Sequence, residues 1–223
     1  MNGVRRAAAA WLIALSGFTV AGSPALAQPF AQDVGHGAVR FFASEDAFKA
    51  APASFVLEVQ PRRVLPMPEG FPLRAEFGTI GGRRAITVHA PEGTSLYGLG
   101  TAPGALVRSG FKSGTDPVEC PWVMGVRADG TAFGVLMDTT YRCWADLSDG
   151  IVFTTDAASP GVILFDVPGP RELLVSLNEL TGRLEMPPRW ALGMSALIVG
   201  DPRGVARRLR QEGVPADAVV LPG

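Results

Sequence analysis

Two hydrophobic periods divide this chain of 223 residues. Between residues 38 and 167 apolar positions come in short runs or alternate with polar ones, and Gly, Pro or Asp clusters punctuate them. That pattern predicts strands. Residues 39–42 and 54–60 are the first two, and the Pro-rich stretch 62–70 is a loop. Phe71, Leu73, Ala75 and Phe77 alternate, Gly81-Gly82 turns the chain, and residues 84–90 return as the second arm of a hairpin. A strand at 95–100 leads into a long loop, rich in Gly, Ser and Pro, that runs through Pro117. Residues 122–127 and 131–138 flank Asp129-Gly130, a two-residue hairpin signal. In that register Ala128 faces Thr131 and Cys120 faces Thr139. Strands at 141–147, 151–155 and 161–167 complete a meander. Many short strands at regular spacing predict an antiparallel β-sandwich.

After residue 167 the period lengthens. Leu173, Leu174, Leu177 and Leu180 recur at helical spacing. Pro170 suits the first helical position and Gly182 the stop, so residues 171–180 form an amphipathic helix. Residues 181–188 form a linker, extended from 184 to 188. Residues 191–199 read as a strand buried on both faces. Asp201-Pro202 caps a helix over 205–212, Gly213 ends it, and residues 218–221 form a second buried strand. A strand, a crossover helix and a strand imply parallel pairing. Such a unit needs further partners to cover both faces of its sheet.

The N-terminus reads differently again. Arg5 and Arg6 precede an uncharged apolar run over 7–20, and Ala25-Leu26-Ala27 is a cleavage-site pattern. The run is shorter than the roughly 20 residues of a spanning helix. Residues 1–27 are therefore expected to be a signal peptide cleaved near Ala27, with a periplasmic or secreted product and no membrane partner after cleavage. Residues 28–37 are short and polar, and disorder is expected there.

A net charge of −1 gives no basic field for nucleic acid. Cys120 and Cys143 are the two cysteines. Export permits a disulfide, yet the hairpin register leaves them about 13 Å out of step along an ideal strand, and the pairing stays open. His36, expected in a mobile tail, and His89, expected in a strand, have no partners at metal-ligand spacing. No metal or cofactor is expected. No G-x-S-x-G elbow is present. Gly98-Leu99-Gly100 with Gly104 lacks a following helix, so it reads as a tight turn and not a phosphate loop. Trp122, Tyr141 and Trp144 suit either a sugar-stacking platform or the sandwich core, with core the better reading. Asp116, in the long loop, suits either a hydroxyl acceptor or a solvated turn.

Several blocks resemble glycoside hydrolase family 31, the α-glucosidase and α-xylosidase family. Tyr97-Gly98-Leu99-Gly100 matches a Y-G-L-G block, with Thr101 where Glu usually follows. Gly134-Val135-Leu136-Met137-Asp138 with Tyr141-Arg142 resembles G-V-F-x-D-N-x-x-R. Leu180-Thr181-Gly182-Arg183 and Pro187-Pro188-Arg189-Trp190-Ala191-Leu192-Gly193 match the family's junction. Residues 214–221 resemble its second barrel strand. The resemblance implies a mainly β fold: an antiparallel, galactose-mutarotase-like sandwich over 38–180, followed at 189–223 by an incomplete (β/α)8 barrel start. It also implies retaining glycosidase chemistry by two carboxylates on later barrel strands. No catalytic residue is thus expected here, and the chain reads as an inactive fragment of an exported α-glycosidase. The segment 108–112 with Asp116 corresponds to the family's loop over the barrel mouth, which implies Asp116 as a substrate-binding residue. The implied partner is an α-linked oligosaccharide or glycoside, with a separate barrel-containing chain as a further partner. The alternative is a stand-alone carbohydrate-binding or docking sandwich.

Overall fold

The computed structural model describes residues 29–51, 54, 70–183, 185–188, 193–197, 200–216 and 218–220. The expected signal peptide, all but the first residue of the expected 54–60 strand, most of the Pro-rich loop and the junction residues 189–192 lie outside the described residues.

Two antiparallel sheets pack face to face. The first has six strands: β1 (Phe30–Gly35), β2 (Ala38–Phe42), β5 (Ser95–Gly98), β6 (Trp122–Val126), β7 (Ala132–Asp138) and β10 (Gly161–Val167), in the order β1-β2-β10-β7-β6-β5. The second has β3 (Ala75–Ile80), β4 (Arg83–Val88), β8 (Cys143–Asp146) and β9 (Ile151–Thr155), in the order β3-β4-β9-β8. The expected mainly β antiparallel sandwich is the observed fold.

Alternation along each strand builds the core. Val39, Phe41, Val135, Met137, Val162 and Leu164 face inward from the larger sheet, and Ile86, Val88, Ala145, Ile151 and Phe153 meet them from the smaller. The larger sheet is apolar on its outer face as well. There Ala132, Leu136, Ile163 and Phe165 are covered by Leu173 and Leu180 of helix α2 (Pro170–Thr181). The continuous apolar runs of β7 and β10 follow from this burial on two faces. Gly134 allows the close approach: a Cβ there would lie 2.3 Å from Trp122 Cη2 and 3.1 Å from Leu173 Cδ1.

Two sequence expectations are corrected, and one helix was not foreseen. Residues 30–35 are not disordered but form β1, paired with β2 from Phe30↔Phe42 to Gly35↔Ala38, and His36 sits in the intervening turn. A short helix, α1 (Glu45–Ala50), follows β2; Ser44 caps it by accepting from Ala47 N at 3.1 Å. Phe48 holds it in place, stacked on Phe30 at 4.7 Å and edge-on to Phe42 at 5.2 Å. The β6–β7 hairpin pairs Val126 with Ala132, so its register differs by one from expectation. Asp129 causes the shift: its carboxylate accepts from Thr131 N at 2.9 Å and from Thr131 Oγ1 at 2.7 Å, and Arg127 N bonds Thr131 O across the enlarged loop.

Beyond α2, β11 (Ser195–Leu197) and β12 (Ala218–Val220) pair in parallel, and α3 (Pro202–Gln211) connects them. Asp201 caps α3 by accepting from Arg203 N and Gly204 N, each at 3.0 Å.

Candidate functional site

The segment between β5 and β6 leaves the sheet through a kink built by Tyr97-Gly98-Leu99-Gly100. Gly98 has φ +121°, and a Cβ there would lie 2.3 Å from the Trp122 carbonyl oxygen. Leu99 takes the left-handed region at φ 66°, which a branched side chain tolerates poorly. Its side chain is fully buried and its N–H donates to Trp122 O at 2.9 Å. The turn reading of this motif describes it correctly.

Arg108 then braces the loop. Its buried guanidinium donates to the carbonyls of Gly98 (3.1 Å), Pro103 (3.0 Å) and Ala102 (2.6 Å), and its backbone N–H donates to Leu96 O at 2.7 Å. From residue 110 the chain runs beside the edge strand β8. Gly110 N bonds Leu147 O, Leu147 N bonds Phe111 O, Ser113 N bonds Ala145 O, and Val118 N bonds Cys143 O. Lys112 pairs with Asp146 at 2.7 Å. The Lys112 bond holds the Asp146 carboxyl below its ordinary range; desolvation opposes it, and bonds from Ser148 add to the lowering.

Residues 114–117 bulge away from this edge. Trp144 reaches the bulge from beneath, its indole Nε1–H donating to Thr115 O at 2.9 Å. Asp116 stands beside that anchor, exposed, and makes no hydrogen bond or ion pair among the described residues. With Thr101, Phe111, Thr115 and Glu119 it lines an open cavity of about 410 Å³. Glu119 accepts a short hydrogen bond from Thr101 Oγ1. The cavity thus offers one unengaged carboxylate, two threonines and a half-buried aromatic ring. That set suits a neutral ligand rich in hydroxyl groups.

The aromatic residues form no common platform. Trp122 packs edge-on against Phe165 at 5.5 Å on the α2 side of the larger sheet. Trp144 lies on the smaller sheet, 8% exposed, with the Arg83 guanidinium 3.6 Å above its ring. Tyr141 is 56% exposed in the turn before β8. His89 sits at the surface, 3.3 Å from Glu76. Among the described residues no three His, Cys, Asp or Glu side chains group as metal ligands, and no helix is long and apolar enough to cross a membrane. Cys120 is exposed, Cys143 buried, and both are free. Sequence reasoning missed Arg108 and the role of Trp144, because both act on backbone carbonyls that carry no side-chain signature.

A sandwich with a helix across its larger sheet and a braced loop after a Y-G-L-G kink is similar to what family 31 glycoside hydrolases carry. No family model matches the chain. It is 28% identical over 153 residues to α-glucosidase 2 of Bacillus thermoamyloliquefaciens, covering 58% of this chain and 19% of that enzyme. Among solved structures, a family 31 α-glucosidase from Bacteroides thetaiotaomicron is 31% identical, with a TM-score of 0.51 over 65% of this chain and 28% of its own. The fold is shared with a family 31 dextranase from Flavobacterium johnsoniae solved with glucose, 20% identical, with a TM-score of 0.56 over 85% of this chain and 30% of the dextranase. The chain therefore spans between about a fifth and a third of the length of these relatives.

Proposed function

We propose that this chain is the N-terminal part of an exported family 31 α-glycosidase. It contributes a sandwich and a sugar-contacting loop, and it has no hydrolytic activity alone. The observation that carries the reading is Asp116: a free carboxylate on a loop braced by Arg108 and β8, at the rim of an open cavity. The relatives supply the class of ligand, an α-linked glucoside, since two are α-glucosidases and one is a dextranase.

In this reading Asp116 accepts hydrogen bonds from sugar hydroxyls, each strengthened by the ionised acceptor. Retaining cleavage needs a nucleophilic carboxylate and an acid about 5–5.5 Å apart across the anomeric carbon. The reading assigns neither role to a described residue. The parallel β11-α3-β12 unit is the beginning of a (β/α)8 barrel, whose remaining strands would carry both acids, either downstream or on a separate barrel-containing chain. Export through residues 1–27 places the product in the periplasm or outside the cell. A stand-alone sugar-binding module would want exposed ring faces. Trp122 and Trp144 do not provide them, so that alternative rests on the exposed Tyr141 and the Asp116 cavity.

Calorimetric titration of the chain with maltotriose and isomaltotriose tests the site. Saturable binding that Asp116→Ala abolishes supports it. Flat titrations of the unaltered chain at millimolar sugar, or binding indifferent to Asp116→Ala, remove Asp116 from the account.

A further inference from the structure

We propose that Trp144 is the positioning residue for Asp116, an inference that rests on reading Asp116 as a sugar-hydroxyl acceptor. Residues 113 and 114 form a thin wall between two cavities. In front lies the 410 Å³ cavity that Asp116 lines; behind lies one of about 200 Å³, lined by Trp144, Arg83, Val152 and Thr154. Past Ser113 the loop has little packing of its own. Gly114 would meet nothing within 4 Å if it carried a Cβ, and Thr115 and Asp116 are exposed. The Trp144 indole N–H grips the wall from behind at the Thr115 carbonyl, one residue before the carboxylate.

The ring that makes this bond is itself clamped. The Arg83 guanidinium lies 3.6 Å from the ring centroid, a cation–π contact, and that guanidinium is held by Asp156 Oδ1 at 3.1 Å. Asp156 Oδ2 also takes Arg142 at 3.2 Å, and Arg142 lies 5.8 Å from the same ring. Beside the indole, Ala145 N donates to Ser113 Oγ at 2.8 Å and Ser113 N donates to Ala145 O. A line of contacts therefore runs from Asp156 through Arg83 and Trp144 to Thr115 and its neighbour Asp116. Trp144 does not stack on sugar; it fixes where the carboxylate stands.

The test is amide hydrogen exchange resolved to residues 112–118, with sugar titration of the same proteins. Trp144→Phe keeps an aromatic face, smaller than the indole, beneath Arg83 and removes the N–H. It should raise exchange at Ser113, Gly114 and Val118 about tenfold, leave β7 and β10 unchanged, and weaken trisaccharide binding about fivefold at an unchanged melting temperature. Arg83→Met leaves the indole N–H but unclamps the ring, and should raise exchange over the same residues by a smaller factor. Unchanged exchange in Trp144→Phe overturns the proposal. So does exchange that rises throughout the sandwich in Trp144→Phe with no local change in Arg83→Met. If the unaltered chain binds neither sugar while the local exchange still rises, the sugar-binding reading of Asp116 fails and the anchoring by Trp144 stands.

Discussion

Replacing one partner of the Arg40–Asp138 pair should cost the sandwich far more than replacing both. The pair lies on the outer face of the larger sheet, its side chains 9% and 0% exposed, with Arg40 Nη2 2.5 Å from Asp138 Oδ2. Arg40 also lies 4.5 Å over the Phe42 ring. Burial pushes the guanidinium below its ordinary range, and Asp138 opposes the shift. Among the described residues Arg40 Nε and both Asp138 oxygens lack a well-aligned hydrogen bond, so the Nη2–Oδ2 contact is an ion pair by proximity. An under-bonded pair in a dry site returns little of its desolvation cost, whereas a single buried charge left alone returns none. Arg40→Met and Asp138→Leu should each lose about 3–5 kcal/mol, while the double variant should fall within about 1 kcal/mol of the parent or exceed it. For a domain of this size the single losses correspond to a melting temperature lower by about 6–20 °C. Urea unfolding of all four proteins, closed as a double-mutant cycle, measures the coupling. Single losses below about 1 kcal/mol, or a double variant that loses the sum of both, would refute the reasoning.

Other outcomes follow from the same contacts. Gly134→Ala drives a methyl into Trp122 and should cost about 1–3 kcal/mol in urea unfolding, with the near-ultraviolet tryptophan signal altered. Because its bond to Lys112 depresses the Asp146 carboxyl, the support this pair gives to the loop is complete above the ordinary aspartate range and is lost as pH falls below that range through the depressed folded value; Asp146→Asn should flatten the acid rise in exchange at residues 110–118. Burial raises both thiols, Cys143 to about 11, so a thiol reagent at pH 8 should label the exposed Cys120 first and Cys143 only after denaturation, as peptide mass spectrometry would show. Removing residues beyond Pro188 should raise the soluble fraction, since Met194 and Val220 of the parallel unit are 45% and 48% exposed.

The strands of the sandwich were legible because side-chain direction alternates and each inward position is apolar. β1 escaped because its residues, among them Gln32 and Asp33, look like a polar tail; backbone pairing to β2, the buried Gln32 and Val34, and the stacking of Phe30 on Phe48 hold it. α1 escaped because six residues are too few to show a helical period, and Phe48 gains its meaning only against Phe30 and Phe42. The hairpin register turned on a side-chain bond within its own loop, which an Asp-Gly pair alone does not disclose. At the candidate site the loop and Asp116 could be read from the residues and the family resemblance. Their anchors could not: Arg108 bonds three carbonyls and Trp144 a fourth, 29 residues away in sequence, and those acceptors belong to the backbone.

Turnover of 4-nitrophenyl α-glucoside by the purified chain is the most direct measurement of the central claim, that this polypeptide supplies a sugar-contacting sandwich but not the pair of acids that cleaves the bond. The account predicts release indistinguishable from a mock preparation across pH 4 to 8. Hydrolysis that scales with the amount of this chain would contradict it.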